Sequence, residues 1–543
     1  MKKLTVMFMS VLIVLSLVLA ACGGAAPTAV PATKAPEATK APEPTQPPAP
    51  KQLVVAIMID IVDMDPHRAF SDTYLIAGKV MYETLTLLDL DNPGELKPGL
   101  ATSWEINDDS TQYTFHLRKG VKFETGREMT AKDVVWSWQR LQNLQGQPAW
   151  LMDGVVSFEA VDDYTVLVTM AASDASFLAK TSVAYTGPMD SEVAEQNGCV
   201  AGADAATTDT CKEWLDEHSV GVGPYRLDRW IRDSEIRLVA NPDYYEGKPV
   251  FDSVVFKHVP DATAQAQLLQ RGDADFAMNI DPDTAQQLEG KPGVLLNKGL
   301  SLSIIYLAMN ASPEVSELTS NPLFRQAVLH AIDFEGLTAA VGGSTPPGLI
   351  SVGLLGGGAV EPIPYDLARA KELLAEAGYP NGVTLDLHYG NIVQFGVDFN
   401  VVAQKLQADL SEIGITLNII PEEFTVWITA FRAGESPIAF SYNTPDYADP
   451  HSVTQVFGLS DGVFAKRMHY ANPEVEKLVM DAVQTADPDV RTQLYAELQQ
   501  KLNEDGNFHP LVQPLEVIGY RDNIVGFQLN PVNKINVFEI DKK

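Results

Sequence analysis

Residues 95–141 read ELKPGLATSWEINDDSTQYTFHLRKGVKFETGREMTAKDVVWSWQRL. In YTFHLRKGVKF, Phe115 and Leu117 alternate with His116 and Arg118, the period of a half-buried strand. LKPGLATSWEI precedes it as a second strand, and Gly120 and Gly126 punctuate the turns, which predicts a meander. Thr130 followed by Asp133 is a variant of the capping box and opens a helix carrying Trp136, Trp138 and Leu141. Strands that feed a capped helix set the expectation for the whole body, an α/β class.

Outward from this stretch the same alternation continues. KQLVVAIMI, from Lys51, reads as a buried strand, and DYTVLVTM, from Asp163, as another. NPLFRQAVLHAID has Asn321 as N-cap and Pro322 at the first helical position, with Phe324, Ala327, Val328, Ala331 and Ile332 on one face. YDLARAKELLAEAGYPNG turns Leu367, Ala370, Leu374 and Ala377 inward and stops at Gly378. DPDVRTQLYAELQQKLNEDG repeats the plan from Pro488 to Gly506, and the strands GVTLDLHYG and GITLNIIP lie between these helices. About 490 residues from Leu53 onward exceed one ordinary core, so two or three domains are expected.

The N-terminus predicts the compartment. MKK precedes the apolar run LTVMFMSVLIVLSLVLA, and LAAC ends at Cys22, the plan of a secretory signal over residues 1–21. LAAC followed by Gly23 also resembles the bacterial lipobox, which implies lipidation of Cys22 and a hold on the outer face of the cytoplasmic membrane. Residues 22–50 are rich in Ala, Pro and Thr, with ATKAPE twice in succession, and have no apolar face to bury. In polyproline form such a tether reaches at most roughly 90 Å.

The formal charge of -32 becomes -34 when Lys2 and Lys3 leave with the signal, 37 basic residues against 71 acidic. That balance repels nucleic acid, which is not expected as a partner. Of three cysteines, Cys199 and Cys211 flank VAGADAATTDT, a small polar loop. Outside the cytoplasm they are expected as a disulfide, which contributes on the order of 3 kcal/mol in the chain-entropy model. Zinc suits them poorly, since neither CxxC nor paired histidines accompany them.

Catalytic signatures are missing: HExxH, GxSxG and GxxxxGK[ST] do not occur, and none of the nine histidines pairs at i, i+4. Asp-Pro-His occurs twice, at 65–67 and 449–451, and reads as a turn sooner than as a metal ligand. Neither catalytic residues nor a metal nor a cofactor is expected. The second triplet closes the passage YNTPDYADPH, residues 442–451, which gathers two aspartates, two tyrosines and a histidine.

Several passages together carry a resemblance. MYETLTLLD, the stretch quoted first, GVGPYRLDRWIRDSEIRLVANPDYYEGKP, LLQRGDADFA, FRQAVLHAID and ARAKELLAEAGYPNG follow one another in the order of the family 5 extracytoplasmic solute-binding proteins. These serve ATP-driven importers of oligopeptides, dipeptides and, in some members, nickel or sugars. The resemblance implies a multi-lobe periplasmic-binding-protein-like fold (type II, cluster C) with a hinge between two main lobes and an inserted domain. Lobe I would hold residues 51–90, 222–305 and 512–543, the inserted lobe II 91–221, and lobe III 306–511. The crossings that form the hinge would lie near IIYLAMN and FHPLVQPLEV.

The resemblance also implies site residues. Asp446 would receive the α-ammonium group of a peptide, with Tyr442, Asn443 and Thr444 as flanking backbone and wall. Asn443 stands where oligopeptide binders usually carry tryptophan, and Pro445 also departs from the pattern. Ser71 and Asp72, in RAFSDTY, align with a cleft-facing loop, and Arg432 could meet a ligand carboxylate. The implied protein is a monomer that captures a short peptide and delivers it to permease and ATPase subunits of an importer. Oligosaccharide or metal-complex binding in the same fold, a surface hydrolase and a signalling receptor stand as alternatives.

Overall fold

The computed structural model describes residues 50–89, 95–530, 532 and 534–543. The expected signal peptide, Cys22 and all but the last residue of the expected tether lie outside the described residues, as does the Asp72 side chain.

The largest sheet has seven strands drawn from three stretches of the chain. Its order is Val294–Leu300, Leu515–Arg521, Phe276–Ala277, Gln52–Ile57, Ser253–His258, Glu235–Ala240 and Tyr225–Ile231. Gln52–Ile57 pairs in parallel on both sides, with Ser253–His258 and Phe276–Ala277. A parallel strand in mid-sheet is covered on both faces, and Leu53, Val55 and Ile57 are buried.

The meander of residues 95–141 closes a second sheet of four antiparallel strands, Ala101–Ile106, Gln112–Leu117, Thr165–Met170 and Val155–Asp162. The helix Ala131–Leu144 lies against it, with the Thr130 amide donating to the Asp133 carboxylate at 2.9 Å. Trp138 meets Phe115, Phe158 and Phe177 edge-on at 5.8–6.2 Å. Trp136 instead is half-buried and donates its indole N–H to Glu195. In the loop after this sheet, Cys199 and Cys211 are joined by a disulfide.

A third region runs from Ile304 to Val512. Its sheet has the order Ile438–Asn443, Ile304–Met309, Phe508–Val512, and a parallel pair, Val383–Gly390 with Ile415–Glu422, is connected through the helix Phe399–Ser411. The capped helices fall where the sequence puts them: Pro322–Ala331 behind Asn321, and Pro488–Asp505 ending at Gly506. In the helix Leu367–Glu376, Leu373 joins Ala370 and Leu374 in the core, while Leu367 and Ala377 are only half-buried.

IIYLAMN and FHPLV supply paired strands of the three-stranded sheet, while LEV opens the strand Leu515–Arg521 of the large one. The chain crosses between the large and the three-stranded sheet at residues 301–303, just ahead of IIYLAMN, and at 513–514, inside FHPLVQPLEV. The two connections are bonded to each other. The Ser301 amide and hydroxyl both donate to the Pro514 carbonyl (3.2 and 3.1 Å), and Gln513 Nε2 donates to the Ser301 carbonyl at 2.7 Å.

Candidate ligand-binding site

Tyr442 and Asn443 end the edge strand Ile438–Asn443, opposite Ile305 and Ile304. Beyond them Pro445 cannot continue the ladder, and the chain turns away as an irregular segment. The Thr444 hydroxyl lies 2.9 Å from that of Ser303, in the first crossing. Asp446 is half-buried, and its amide donates to the Ser452 hydroxyl at 2.8 Å. Among the described residues Asn443 Nδ2 is buried without a hydrogen-bond partner, a donor that a solute could satisfy.

Tyr447, directly after Asp446, is fully buried in the hydrophobic cluster that also holds Tyr74, Leu151 and Tyr185, side chains of the other two regions. Its ring lies 5.9 Å from Trp150, in the 3-10 turn Gln147–Met152. That turn abuts the RAFSDTY loop, because a Cβ on Gly146 would stand 2.2 Å from the His67 carbonyl oxygen. The two loops that the resemblance marks thus flank one turn of the inserted region.

Ser71 is the N-cap of the helix Asp72–Ala77 and accepts from the Tyr74 amide. Its backbone is bracketed by Tyr185, whose hydroxyl accepts from Ser71 N at 3.0 Å and lies 3.2 Å from Ser71 O. Phe70, 40 % exposed, stacks on Tyr185 at 5.7 Å. Arg432 is exposed in the last turn of Phe424–Ala433, where a cation meets the carbonyl end of the helix dipole. That placement needs no ligand.

Sequence reading did not reach the contacts that join the regions. At the tip of the hairpin Val393–Asp398, a Cβ on Gly396 would stand 3.0 Å from Cδ of Pro282, in the large-sheet region. Phe395 on the same hairpin meets Tyr442 edge-on at 5.6 Å. On the other flank the Ala175 amide donates to the Val483 carbonyl at 2.7 Å, and the Ser173 hydroxyl to that of Gln484 at 2.8 Å. Close by, Asp174 pairs with Lys180 at 2.9 Å, and Asp449 with Arg491 at 2.8 Å. His451 lies within electrostatic reach of all four. Burial, aided by Lys180, pulls its imidazole down to about 4 and keeps it neutral.

Among the described residues, Cys199, Asp209 and Cys211 form the one cluster of three metal-type ligands, and the disulfide occupies two of them. A separate cavity of about 90 Å³, lined by Lys79, Glu83, Tyr244 and Asn536, touches none of the expected site residues.

The comparisons agree with this architecture. The family model described as bacterial extracellular solute-binding proteins, family 5, middle, matches residues 95–464. Heme-binding protein A of Haemophilus influenzae is 28 % identical over 466 residues, 80 % of this chain and 82 % of that protein. Probable di/tripeptide-binding protein 5 of Pseudomonas aeruginosa is 28 % identical over 81 % of this chain and 86 % of its own. Among solved structures, the ABC transporter-associated periplasmic binding protein DppA from Helicobacter pylori, in complex with the peptide STSA, is similar at 27 % identity. Its TM-score is 0.74, with 90 % of this chain and 98 % of that one covered.

The chain belongs to the family 5 extracellular solute-binding proteins. It is an extracytoplasmic binding protein that takes up a solute without transforming it, which sets aside the hydrolase alternative.

Proposed function

We propose that this protein captures a short peptide with a free amino group and delivers it to an ATP-driven importer. Asp446 receives the ammonium group, and Tyr442, Asn443 and Thr444 form the adjoining wall. Ser71 and Asp72 belong to the opposing jaw, and Arg432 is the weaker candidate for a ligand carboxylate. The observation that carries this reading is the position of Asp446. It is a half-buried carboxylate between a strand edge tied to the crossing at Ser303 and a tyrosine seated in the other two regions. A carboxylate so enclosed pairs favourably with a cation, and the exclusion of water strengthens the pair. The names of several relatives, di/tripeptide-binding proteins, support the same ligand class.

The three regions act as three lobes, close to the ranges expected from the resemblance but with lobe III running from 304 to 512, hinged where residues 301–303 and 513–514 cross. The protein works as a monomer, held by a lipid on Cys22 and spaced from the membrane by residues 22–50. A panel of di- to pentapeptides, tested by melting temperature and by native mass spectrometry, checks the ligand class. A rise of several degrees with free-amine peptides and none with their N-acetylated forms is expected. No rise with any peptide would overturn the reading.

A further inference from the structure

Asp-Pro-His occurs twice, and the two copies are built alike. In the first, the Asp65 carboxylate accepts from the His67 amide at 2.9 Å and is gripped from both sides by Arg140, at 2.8 and 2.6 Å. In the second, Asp449 accepts from the His451 amide at 2.9 Å and is gripped by Arg491, at 2.9 and 2.8 Å. All six residues are at most 8 % exposed. A forked guanidinium on a carboxylate fixes orientation as well as position.

Each turn stands next to one jaw of the proposed site. From Asp65 the chain runs directly into Arg68, Phe70 and Ser71, with the amides of Arg68 and Ala69 both donating to the Asp65 carbonyl. Ahead of Asp449 lie Tyr447 and Asp446, and Ser452, whose amide donates to the Asp449 carbonyl, accepts from the Asp446 amide.

The arginines come from different places. Arg491 belongs to the helix Pro488–Asp505 of the same region and also reaches the Ala482 carbonyl and the Tyr495 hydroxyl. Arg140 comes from the inserted region, where Asp209 of the disulfide loop takes its other edge at 2.9 and 3.2 Å and also binds Arg68 at 3.1 Å. Arginine can only donate, so His67 Nδ1, 3.0 Å away, accepts and Nε2 carries the proton.

We propose that Arg140 and Arg491 are positioning residues, each seating one Asp-Pro-His turn and thereby holding one jaw of the binding site ready for the solute. The inserted region then contributes directly to the site, since with Asp209 it presents Arg140 to the jaw that carries Ser71. That Ser71 and Asp446 face the solute rests on the function proposed above.

Hydrogen exchange on the unliganded full chain tests the positioning without any ligand. Arg140→Lys, which keeps the charge and loses the fork, is expected to speed exchange of amides 67–74 at least tenfold and leave 444–452 within twofold. Arg491→Lys is expected to do the reverse. Should either variant fail to fold, the near-isosteric Asp65→Asn and Asp449→Asn replace them. Exchange that is unchanged, or faster in both segments alike, would overturn the proposal.

In a second arm trialanine is titrated into variants shown to be folded. A tenfold loss of affinity without loss of the native circular dichroism is expected, and an unchanged affinity beside faster local exchange would reduce both arginines to scaffold. If the wild-type protein binds no peptide, the peptide reading fails alone and the exchange result decides the positioning.

Discussion

The hydroxyls of Ser303 and Thr444 lie 2.9 Å apart, joining the first interlobe crossing to the segment that carries Asp446. Ser303 is 1 % exposed, so a lost partner leaves its hydroxyl dry. Thr444→Val is expected to lower stability by about 1–3 kcal/mol, the range for an orphaned buried hydroxyl. Ser303→Ala combined with it should add little, which a double-mutant cycle in urea will show. Full additivity would mean that the contact is not made in solution.

Asp446→Asn keeps the shape and removes the charge. Affinity for a free-amine peptide should fall by roughly 2–5 kcal/mol, the range for truncating one partner of a buried charge pair. Calorimetry against free and N-acetylated peptides reads it. A variant that binds both forms as the wild type does would remove the ammonium role.

Tyr447 and Trp150 are the point where the segment that carries Asp446 enters the other regions. Tyr447→Ala is expected to cost about 3–5 kcal/mol, since the ring is fully buried. Trp150→Phe should fold normally and lose most of the peptide-induced change in tryptophan emission. If the change survives intact in Trp150→Phe, the reporter lies elsewhere and this contact does not respond to the solute.

Burial pulls His67 to about 3, His451 to about 4 and His509 to about 3. Between these values and the ordinary 6.5 the unfolded chain binds the extra protons, so stability rises with pH there and falls on acidification. Each histidine contributes up to about 1.4 kcal/mol per pH unit. Glu124, raised by burial to about 7, works in the opposite sense above its ordinary 4.5, since its folded form keeps a proton that the unfolded form releases. Glu83, whose carboxyl burial also raises, acts in the same sense, and the three histidines outweigh the two glutamates to leave a net loss as pH drops from 6.5 to 5. Urea midpoints should fall over that interval, and more steeply in Glu124→Gln. A flat or rising profile would contradict the buried neutral histidines.

What the sequence disclosed was local. Capping residues such as Asn321 and Asp487, and stops such as Gly506, act within one turn of chain, and the helices they bound appear as read. The first Asp-Pro-His triplet is the turn it reads as, whereas the second opens the helix His451–Gly458, and their arginines lie 75 and 42 positions away in the chain. No spacing rule connects such partners. The same holds for Trp150 with Tyr447 and Gly396 with Pro282, which meet only because separate sheets stack. One crossing falls inside FHPLVQPLEV, and the other just ahead of IIYLAMN, which is apolar and β-prone, a sheet strand by content. Ser71 proved to be a helix cap, a signal present in Ser-Asp ahead of an apolar run.

In the large sheet, Leu515–Arg521 sits between Val294–Leu300 and Phe276–Ala277. A growing polypeptide therefore lacks an interior strand of its biggest sheet until residues 515–521 are made, and the edge strand Val294–Leu300, which pairs with it, waits until then.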